Sequence, residues 1–446
     1  MNTDARARGA GIMGFREYLD VLERTRRLLK VVRPVSKRLE AAAIINELRE
    51  TPVLFETIRE SPYRVAGNIF CTKRSVAEYF GVGAEELISK MVGAIENPSA
   101  PELVANAPCQ EVIEEGVDLD ELPILFHCEH DGGNYISSGV FVTKSKGGIQ
   151  NVDFHRAMQI GRDAFSVRVV RGRNFDELLR RDRELPVAIC VGNAPNVLLA
   201  AAISVPLGYN ELEIANSLEP LRVTKATTFD GLIPAECEVV LEGVVRLDKK
   251  AREGPFVDLT ETYDIVREEP VLEVTRITHR KDAIWQALLP GRSEHKLLMG
   301  MPREPTIYRE VCKEGIRCLD VHVNPGGCSW LHAIVKIDKK REDDGKRAIE
   351  AAFRGHSSCK HVFVVDKDID IYNPLEVEWA MATRFQADAD LVVKEKSKGS
   401  SLDPSADPET HATTRCGFDC TKPLVSRGKN FEKAVFPKVD VARYVE

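Results

Sequence analysis

The sequence predicts a multidomain protein of mixed class, α/β towards both ends and β-rich with mostly antiparallel strands between them. Three observations predict it. The 446 residues exceed what one hydrophobic core ordinarily serves. Strand-like and helix-like runs alternate near both ends, the pattern of α/β layering. Between about 110 and 300 the runs are short, β-rich and separated by turns, as in an antiparallel sheet or barrel. These changes set expected boundaries at 1–108, 109–300, 301–318 and 319–446, the third segment being a linking helix.

The first region opens with FREYLDVLERTRRLLKV, residues 15–31, in which Phe15, Leu19, Leu22 and Leu29 recur near helical spacing. TPVLFETI reads as a strand and RSVAEYFGVGAEELISKMVGAI as helices around a Gly-Val-Gly turn. ENPSAPELVANAPCQEV, punctuated by prolines, leads out of the region. In the middle, SSGVFVTKS, AFSVRVVRG, PVAICVG, ECEVVLEGVVRL and PVLEVTRITHR read as strands, with one helix at PNVLLAAAIS. PREPTIYREVCKEG predicts the linking helix, begun by a proline. Then LHAIVKID, DGKRAIEAAFRG, HVFVVDKDID and PLEVEWAMATR alternate strand and helix, a small α/β domain. From about 395, KSKGSSLDPSADPETHATT reads as a polar loop.

Composition narrows the class. Apolar residues at 43% and charged residues at 29% fit an ordinary globular protein. A net charge of −7 carried by both signs along the chain argues against a general nucleic-acid binder. No run of about 18 apolar residues could span a bilayer, and the start, MNTDARARGAGIMGF, lacks the apolar segment of a secretory signal. A cytoplasmic protein is expected. The 11 cysteines are scattered without a CxxC pair, and the CxxxC of RCGFDC is a weak metal signal, so reduced structural thiols are expected.

Chemistry-bearing residues gather in the middle region. In EGPFVD, Glu253 and Asp258 flank a Gly-Pro-Phe turn. Exposed turns often carry acids; alternatively, this turn aims both carboxylates at one site. QNVDFHRAMQIGR sets Asn151 and Arg156 five residues apart at the start of a strand, and a guanidinium can grip a carboxylate with two parallel hydrogen bonds. In GYNELEIANSLEPL, Glu211 and Glu213 fall on one face of an expected strand. Carboxylates beside an amide oxygen suit Mg2+ or Mn2+, and a solvated strand face fits the same pattern.

Taken together, PAECEVVLEG, EGPFVD and PVLEVTRITHRKDAIWQALLPGR resemble the UbiD family of decarboxylases. The likeness continues through QNVDFHR, KHVFVVDKDIDIYNPLEVEWAMATR and LDPS in the family's order, over nearly the whole chain. It implies an N-terminal α/β region, a split β-barrel flavin-binding domain, the linking helix, and a C-terminal α/β domain that assembles a homo-oligomer, dimer or hexamer. It implies prenylated FMN as cofactor, supplied by a flavin prenyltransferase and held with Mn2+ or Mg2+ and with K+ at the phosphate. The matching cofactor-binding run is Asn151, Val152, Asp153, Phe154, His155 and Arg156. Asn151 and Glu211 match metal ligands, with Glu213 the alternative to Glu211.

This chain departs from the family at the ligand histidine. Its place, counted from Arg156, falls at Arg171 or Gly172, and Arg171 is expected to meet the cofactor phosphate instead. DCTKP matches the segment bearing a cofactor-contacting lysine, here Lys422. Arg156, Glu253 and Asp258 match the family's catalytic network, in which Arg156 clamps the substrate carboxylate, Glu253 fixes its fork and Asp258 moves the proton. The implied reaction is non-oxidative decarboxylation of an α,β-unsaturated acid through a covalent adduct with the cofactor. Chain length favours the archaeal members that convert trans-anhydromevalonate 5-phosphate to isopentenyl phosphate. His155, Arg292, His295 and Lys296 are the expected receivers of the substrate phosphate. The alternatives are an aromatic-acid decarboxylase, such as one acting on 4-hydroxy-3-polyprenylbenzoate, and a non-catalytic flavin-binding assembly protein.

Overall fold

A computed structural model describes residues 12–425, 428 and 430–445. The N-terminal region forms a four-stranded sheet in the order Leu29–Val31, Val53–Phe55, Arg64–Gly67 and Ile284–Ala287. Its last strand therefore comes from the far side of the middle region, paired parallel to Arg64–Gly67. Helices Phe15–Arg24, Glu40–Glu47, Lys73–Phe80 and Leu87–Glu96 accompany the sheet. Phe15, Tyr18, Leu19 and Leu22 of the first are all buried, as the helical spacing predicts. The third starts where the Thr72 side chain accepts the Ser75 N–H.

The middle region is built on a nine-stranded sheet in which every pairing is antiparallel. Its centre is the pair Val239–Glu253 and Arg267–His279, of 15 and 13 residues. Two register shifts, at Glu242/Gly243 and Arg246/Lys250, bend this pair and curl the sheet into a half-barrel. The first needs glycine: a Cβ on Gly243 would lie 2.0 Å from the Glu273 carbonyl oxygen. Both faces are apolar. Val142, Ala188 and Val240 pack under helices, while Phe141, Ile189 and Leu241 fill the inside of the curl. Helix Pro195–Ala202 is buried all round and packs beneath the strand Gln150–Phe154.

Helix Glu304–Lys313 links to a five-stranded C-terminal sheet ordered Cys318–His322, His332–Ile337, His361–Asp366, Ala412–Cys420 and Leu391–Lys398. Helix Asp344–Gly355 covers it with Ala348, Ile349 and Ala352. Two expectations are corrected here. The polar tail is not a loop throughout, because Leu391–Lys398 and Ala412–Cys420 pair antiparallel around it. The first is an edge strand whose lysines and glutamates keep it hydrophilic, which hides it from a hydrophobic pattern. Glu211 and Glu213 do not share a strand face. They open helix Glu211–Leu218, whose start Asn210 caps by accepting the Leu212 N–H at 3.1 Å. Two positions apart on a helix point in divergent directions, so Glu211 is buried at 3% exposure and Glu213 only half-buried.

All 11 cysteines are free. Among the described residues, no cluster of three or more His, Cys, Asp or Glu could hold a metal ion, and no helix is long and apolar enough to cross a membrane.

Candidate active site

The long strand Val239–Glu253 delivers Glu253 at its very end, with 0% exposure. The chain then turns at Gly254, which has φ 96°, and at a cis Gly254–Pro255 peptide. A short hairpin follows, pairing Phe256 with Asp264 and Val257 with Tyr263, so that Asp258 begins its loop. Arg156 sits in the break between strands Gln150–Phe154 and Ala157–Gln159. Its guanidinium meets three carboxylates. Nε and Nη2 donate to the two oxygens of Glu253 at 2.8 and 2.9 Å, Nη1 donates to Asp258 at 2.9 Å, and Nη2 also donates to Asp264 at 2.9 Å.

Supporting contacts fix this geometry. Tyr135 donates to Glu253 at 3.0 Å and accepts the Gly254 N–H at 2.9 Å. Its ring stacks on Phe256 at 3.8 Å, and Phe256 lies 5.6 Å beneath Arg156. Burial works against the guanidinium, but the charges and hydrogen bonds of Glu253, then Asp258 and Asp264, hold it firmly protonated. Burial likewise opposes the charge on Asp264; Arg267 at 2.6 Å and the charge of Arg156 keep its carboxyl below the usual range.

A second group lies on the strand Gln150–Phe154. Glu211 accepts the Val152 N–H at 3.0 Å, and burial, with the like charge of Asp153, pushes its carboxyl up to about 8. The buried side-chain nitrogens of Gln150 and Asn151 have no partner. Buried polar atoms are ordinarily satisfied, so this strand is lined for a ligand. Asn151 and Glu211 offer two hard oxygen donors, which fit Mg2+ or Mn2+ with remaining positions left to phosphate oxygens and water. The residues present therefore fit a flavin nucleotide phosphate with its divalent cation.

Next to the Asp258 loop is a polar cavity of about 270 Å3, lined by Lys73, Glu261, Arg292, Lys296, Glu304 and His322 among others. The Asp258 main-chain carbonyl accepts the Glu261 N–H at 2.8 Å, so the acid and the cavity wall belong to one turn. Glu261 receives Arg292 at 2.7 Å and also pairs with Lys296. Glu304 receives Lys73 at 2.5 Å and His322 at 3.3 Å.

Models of the 3-octaprenyl-4-hydroxybenzoate carboxy-lyase match this chain with their N-terminal domain at residues 19–95, their Rift-related domain at 102–293 and their C-terminal domain at 296–420. The chain belongs to the UbiD family. An anhydromevalonate phosphate decarboxylase of Methanosarcina mazei is 40% identical over 430 residues, 96% of this chain and 100% of its own. The UbiD-class enzyme HmfF from Pelotomaculum thermopropionicum, solved in complex with FMN, is 34% identical with a TM-score of 0.91, over 97% of this chain and 100% of that one. An evolved dimeric form of HmfF in complex with prFMN superposes with a TM-score of 0.88 at the same identity and coverage.

Within this UbiD fold, Arg156, Glu253 and Asp258 come together, and Glu211 reaches the strand of Asn151 at the next residue, Val152. Val152 gives its N–H to Glu211, while Asp153 and Phe154 are half-buried on the same strand. His155 is buried between Phe141 and Phe175, with Nδ1 3.0 Å from the Arg168 carbonyl oxygen and Nε2 3.0 Å from Asp153. Burial opposes its charge, yet Asp153 raises it. His295 is half-buried, its Nδ1 accepting the Gly291 N–H at 3.0 Å, whereas Arg292 and Lys296 line the cavity. Arg171 stands in an exposed turn, and Lys422 pairs with Asp368 at 3.2 Å in the C-terminal domain. Sequence reasoning missed Asp264 and Tyr135. The first was findable: FVDLTETYD reads as a hairpin that sets Asp264 opposite Phe256.

Proposed function

We propose that the chain converts trans-anhydromevalonate 5-phosphate to isopentenyl phosphate and CO2, using prenylated FMN. The observation that carries this reading is the small polar cavity next to the Asp258 loop, where Lys73, Arg292 and Lys296 stand in the wall paired with Glu304 and Glu261. Its volume of about 270 Å3 suits a short phosphorylated acid. The names of the relatives and the FMN and prFMN complexes of HmfF support it.

Bound prenylated FMN supplies the electron sink that no side chain offers. The chain's own residues do the rest. Glu253 holds Nε and Nη2 of Arg156, leaving Nη1 to the substrate carboxylate in place of Asp258. Asp258, displaced from the guanidinium, carries the proton to the carbon that CO2 leaves. The Tyr135–Phe256 stack keeps water from this step. Asn151 and Glu211 hold Mn2+ or Mg2+, K+ neutralises the cofactor phosphate further, and Arg292 and Lys296 take the substrate phosphate. In the same reading a flavin prenyltransferase supplies the cofactor, and residues 319–446 carry assembly into dimers or hexamers.

The test is a side-by-side assay on protein co-expressed with a flavin prenyltransferase. The phosphorylated acid should be consumed far faster than its dephosphorylated form, cinnamate or a hydroxybenzoate. Preference for an aromatic acid would move the substrate to the aromatic class and leave the family and the Arg156 network standing.

A further inference from the structure

The loop 127–134 is the seat of the hairpin that carries Asp258. Its ends are pinned where the Tyr135 N–H donates to the Leu125 carbonyl at 2.9 Å. The Gly132 N–H donates to the Pro255 carbonyl at 2.7 Å, and the approach is so close that a Cβ on Gly132 would lie 2.3 Å from the Gly254 carbonyl oxygen. The His127 ring meets Phe256 edge-on at 5.5 Å, and the His130 ring lies 5.8 Å from Tyr263. Phe256 and Tyr263 stand on the two strands of the hairpin, with Asp258 at the start of the loop between them.

At the centre of the seat is Asp131, only 7% exposed. Oδ2 accepts the N–H groups of His127 at 3.2 Å and Cys128 at 2.9 Å, and the Val257 N–H, on the hairpin, is a further donor to the carboxyl. Oδ1 is buried without a close partner. Among the described residues the one basic group within 4.0 Å is the His127 ring, whose Nδ1 stands at that distance from Oδ2 and also has no hydrogen-bond partner. Ser137 fixes the tautomer of this ring. Its hydroxyl gives its hydrogen to the Leu288 carbonyl at 2.6 Å, so its oxygen is left to accept from His127 Nε2 at 3.4 Å. Nε2 therefore carries the ring hydrogen, and Nδ1 keeps a bare lone pair. Burial holds the ring neutral, pushing it down to about 3.

Two bonding states are open to the Asp131 carboxyl. Charged, it accepts from its own loop and from Val257, and such charge-assisted bonds are roughly twice as strong as neutral ones. Protonated, it becomes a donor, and the bare Nδ1 of His127 is its acceptor. Closing the 4.0 Å gap between them turns the carboxyl towards its own loop and away from Val257. The charged state is costly, because a buried carboxylate without a cation partner is poorly compensated. Burial pushes the carboxyl up to about 6, against the bonds from Cys128, His127 and Val257 and the charge of Arg156. The other titratable groups facing it are Cys128, raised by burial and within the field of Arg292, and Tyr263, also raised by burial. We propose that Asp131 is a positioning residue of the reaction: as a carboxylate it holds the hairpin seated and Asp258 aimed, and on taking a proton it turns to His127 and releases the hairpin. This rests on the reading of Asp258 as proton carrier.

The experiment uses Asp131→Asn in the full-length protein, co-expressed with a flavin prenyltransferase. Asparagine keeps an acceptor in the place of Oδ2 and offers an N–H to His127, so it copies the protonated state at every pH. At pH 8 its kcat should lie about tenfold below wild type, as for a slightly misplaced reacting group, with KM for the acid and flavin content unchanged. The ratio of the two kcat values should shrink towards one as pH falls from 8 to 5, through about 6. Stability should move against what a merely structural role predicts. The folded value of Asp131 lies above the ordinary 3.8, so its stabilising share is complete below 3.8 and is lost as pH rises through about 6. The melting temperature of the variant should therefore gain on wild type as pH rises from 4 to 7. A kcat ratio constant with pH overturns the proposal, as does wild-type kcat at pH 8 or a variant less stable at every pH. Should Asp131→Asn not fold, His127→Phe decides: it removes the acceptor, so the kcat profile should shift to lower pH, and a profile that stays in place overturns the proposal. Should wild type decarboxylate none of the acids, the proton-carrier reading fails and amide hydrogen exchange tests the seat. Protection of residues 256–264 that falls from pH 8 to pH 5 in wild type but not in Asp131→Asn supports it, and equal profiles overturn it.

Discussion

Asp258 accepts from Nη1 of Arg156 at 2.9 Å, the one terminal nitrogen of that guanidinium that Glu253 does not hold. In the proposed mechanism acid and carboxylate clamp are therefore in contact before substrate arrives, and an incoming carboxylate takes the place of Asp258.

Asp258→Asn keeps the shape and removes both the titratable proton and the competing charge. Turnover should fall by roughly a hundredfold or more, the usual scale for a lost general acid, while KM for the acid stays level or drops and flavin content is unchanged. Steady-state kinetics on the reconstituted enzyme check it. Near-normal turnover would remove Asp258 as the proton carrier.

Arg156→Lys should fail differently. An ammonium keeps the charge but cannot span both oxygens of the fully buried Glu253 while also reaching Asp258 and Asp264, so buried acceptors lose their donors. A buried acceptor left without its partner costs about 1–3 kcal/mol, so the urea midpoint should fall together with substrate binding. A variant of unchanged stability that binds substrate normally contradicts this account.

The cavity gives a prediction tied to phosphate. Lys296→Met or Arg292→Met should raise KM for the phosphorylated acid about tenfold, the scale of one charge-assisted bond, and leave the dephosphorylated acid unaffected. Glu261→Gln should lower that KM, because Glu261 occupies both cations in the free protein. Equal effects on both acids would mean that these residues do not read the phosphate.

Glu294 sets a pH dependence. Burial pushes its carboxyl up to about 7, against the backbone N–H bonds it accepts from Phe70, Ile69 and Asn68. Its folded value lies above the ordinary 4.5, so its contribution to stability is complete below that value and is lost as pH rises through about 7. Glu294→Gln keeps an acceptor for the Phe70 N–H and removes the titration. The melting temperature of the variant should match wild type near pH 5 and exceed it at pH 8. A gap that is constant with pH would exclude Glu294 as the source.

Gly243→Ala tests how the fold aims the site. The new Cβ would overlap the Glu273 carbonyl, which belongs to the paired strand and cannot swing aside. Overpacking of this kind costs about 1–3 kcal/mol, and the strand it disturbs is the one that ends at Glu253. Denaturant unfolding should show the loss, together with reduced turnover. Wild-type values for both would mean that the bulge is not needed.

Local patterns made much of this legible. The buried central strands announced themselves by apolar runs, and EGPFVD held two of the three residues proposed as catalytic within six positions. Glu211 was legible as a residue but not as a helix start, because ELEI alternates as a strand would while the cap at Asn210 is a single side chain. Leu391–Lys398 was hidden because an edge strand facing water carries no hydrophobic alternation. Of the cavity only the local run holding Arg292 and Lys296 could be read. Lys73, Arg292 and His322 converge from three regions, and nothing local to any of them records the others.

The parallel strand Ile284–Ala287 that completes the N-terminal sheet has a consequence for biosynthesis. Arg64–Gly67 leaves the ribosome with one edge unpaired, and its partner is made only roughly two hundred residues later. At about 5–20 residues per second that is a wait of roughly 10–40 s, during which a nascent N-terminal region exposes an open strand edge. Chaperone capture of stalled nascent chains should therefore persist until residue 287 has cleared the exit tunnel, and a chain split between 110 and 280 should yield an aggregation-prone first half.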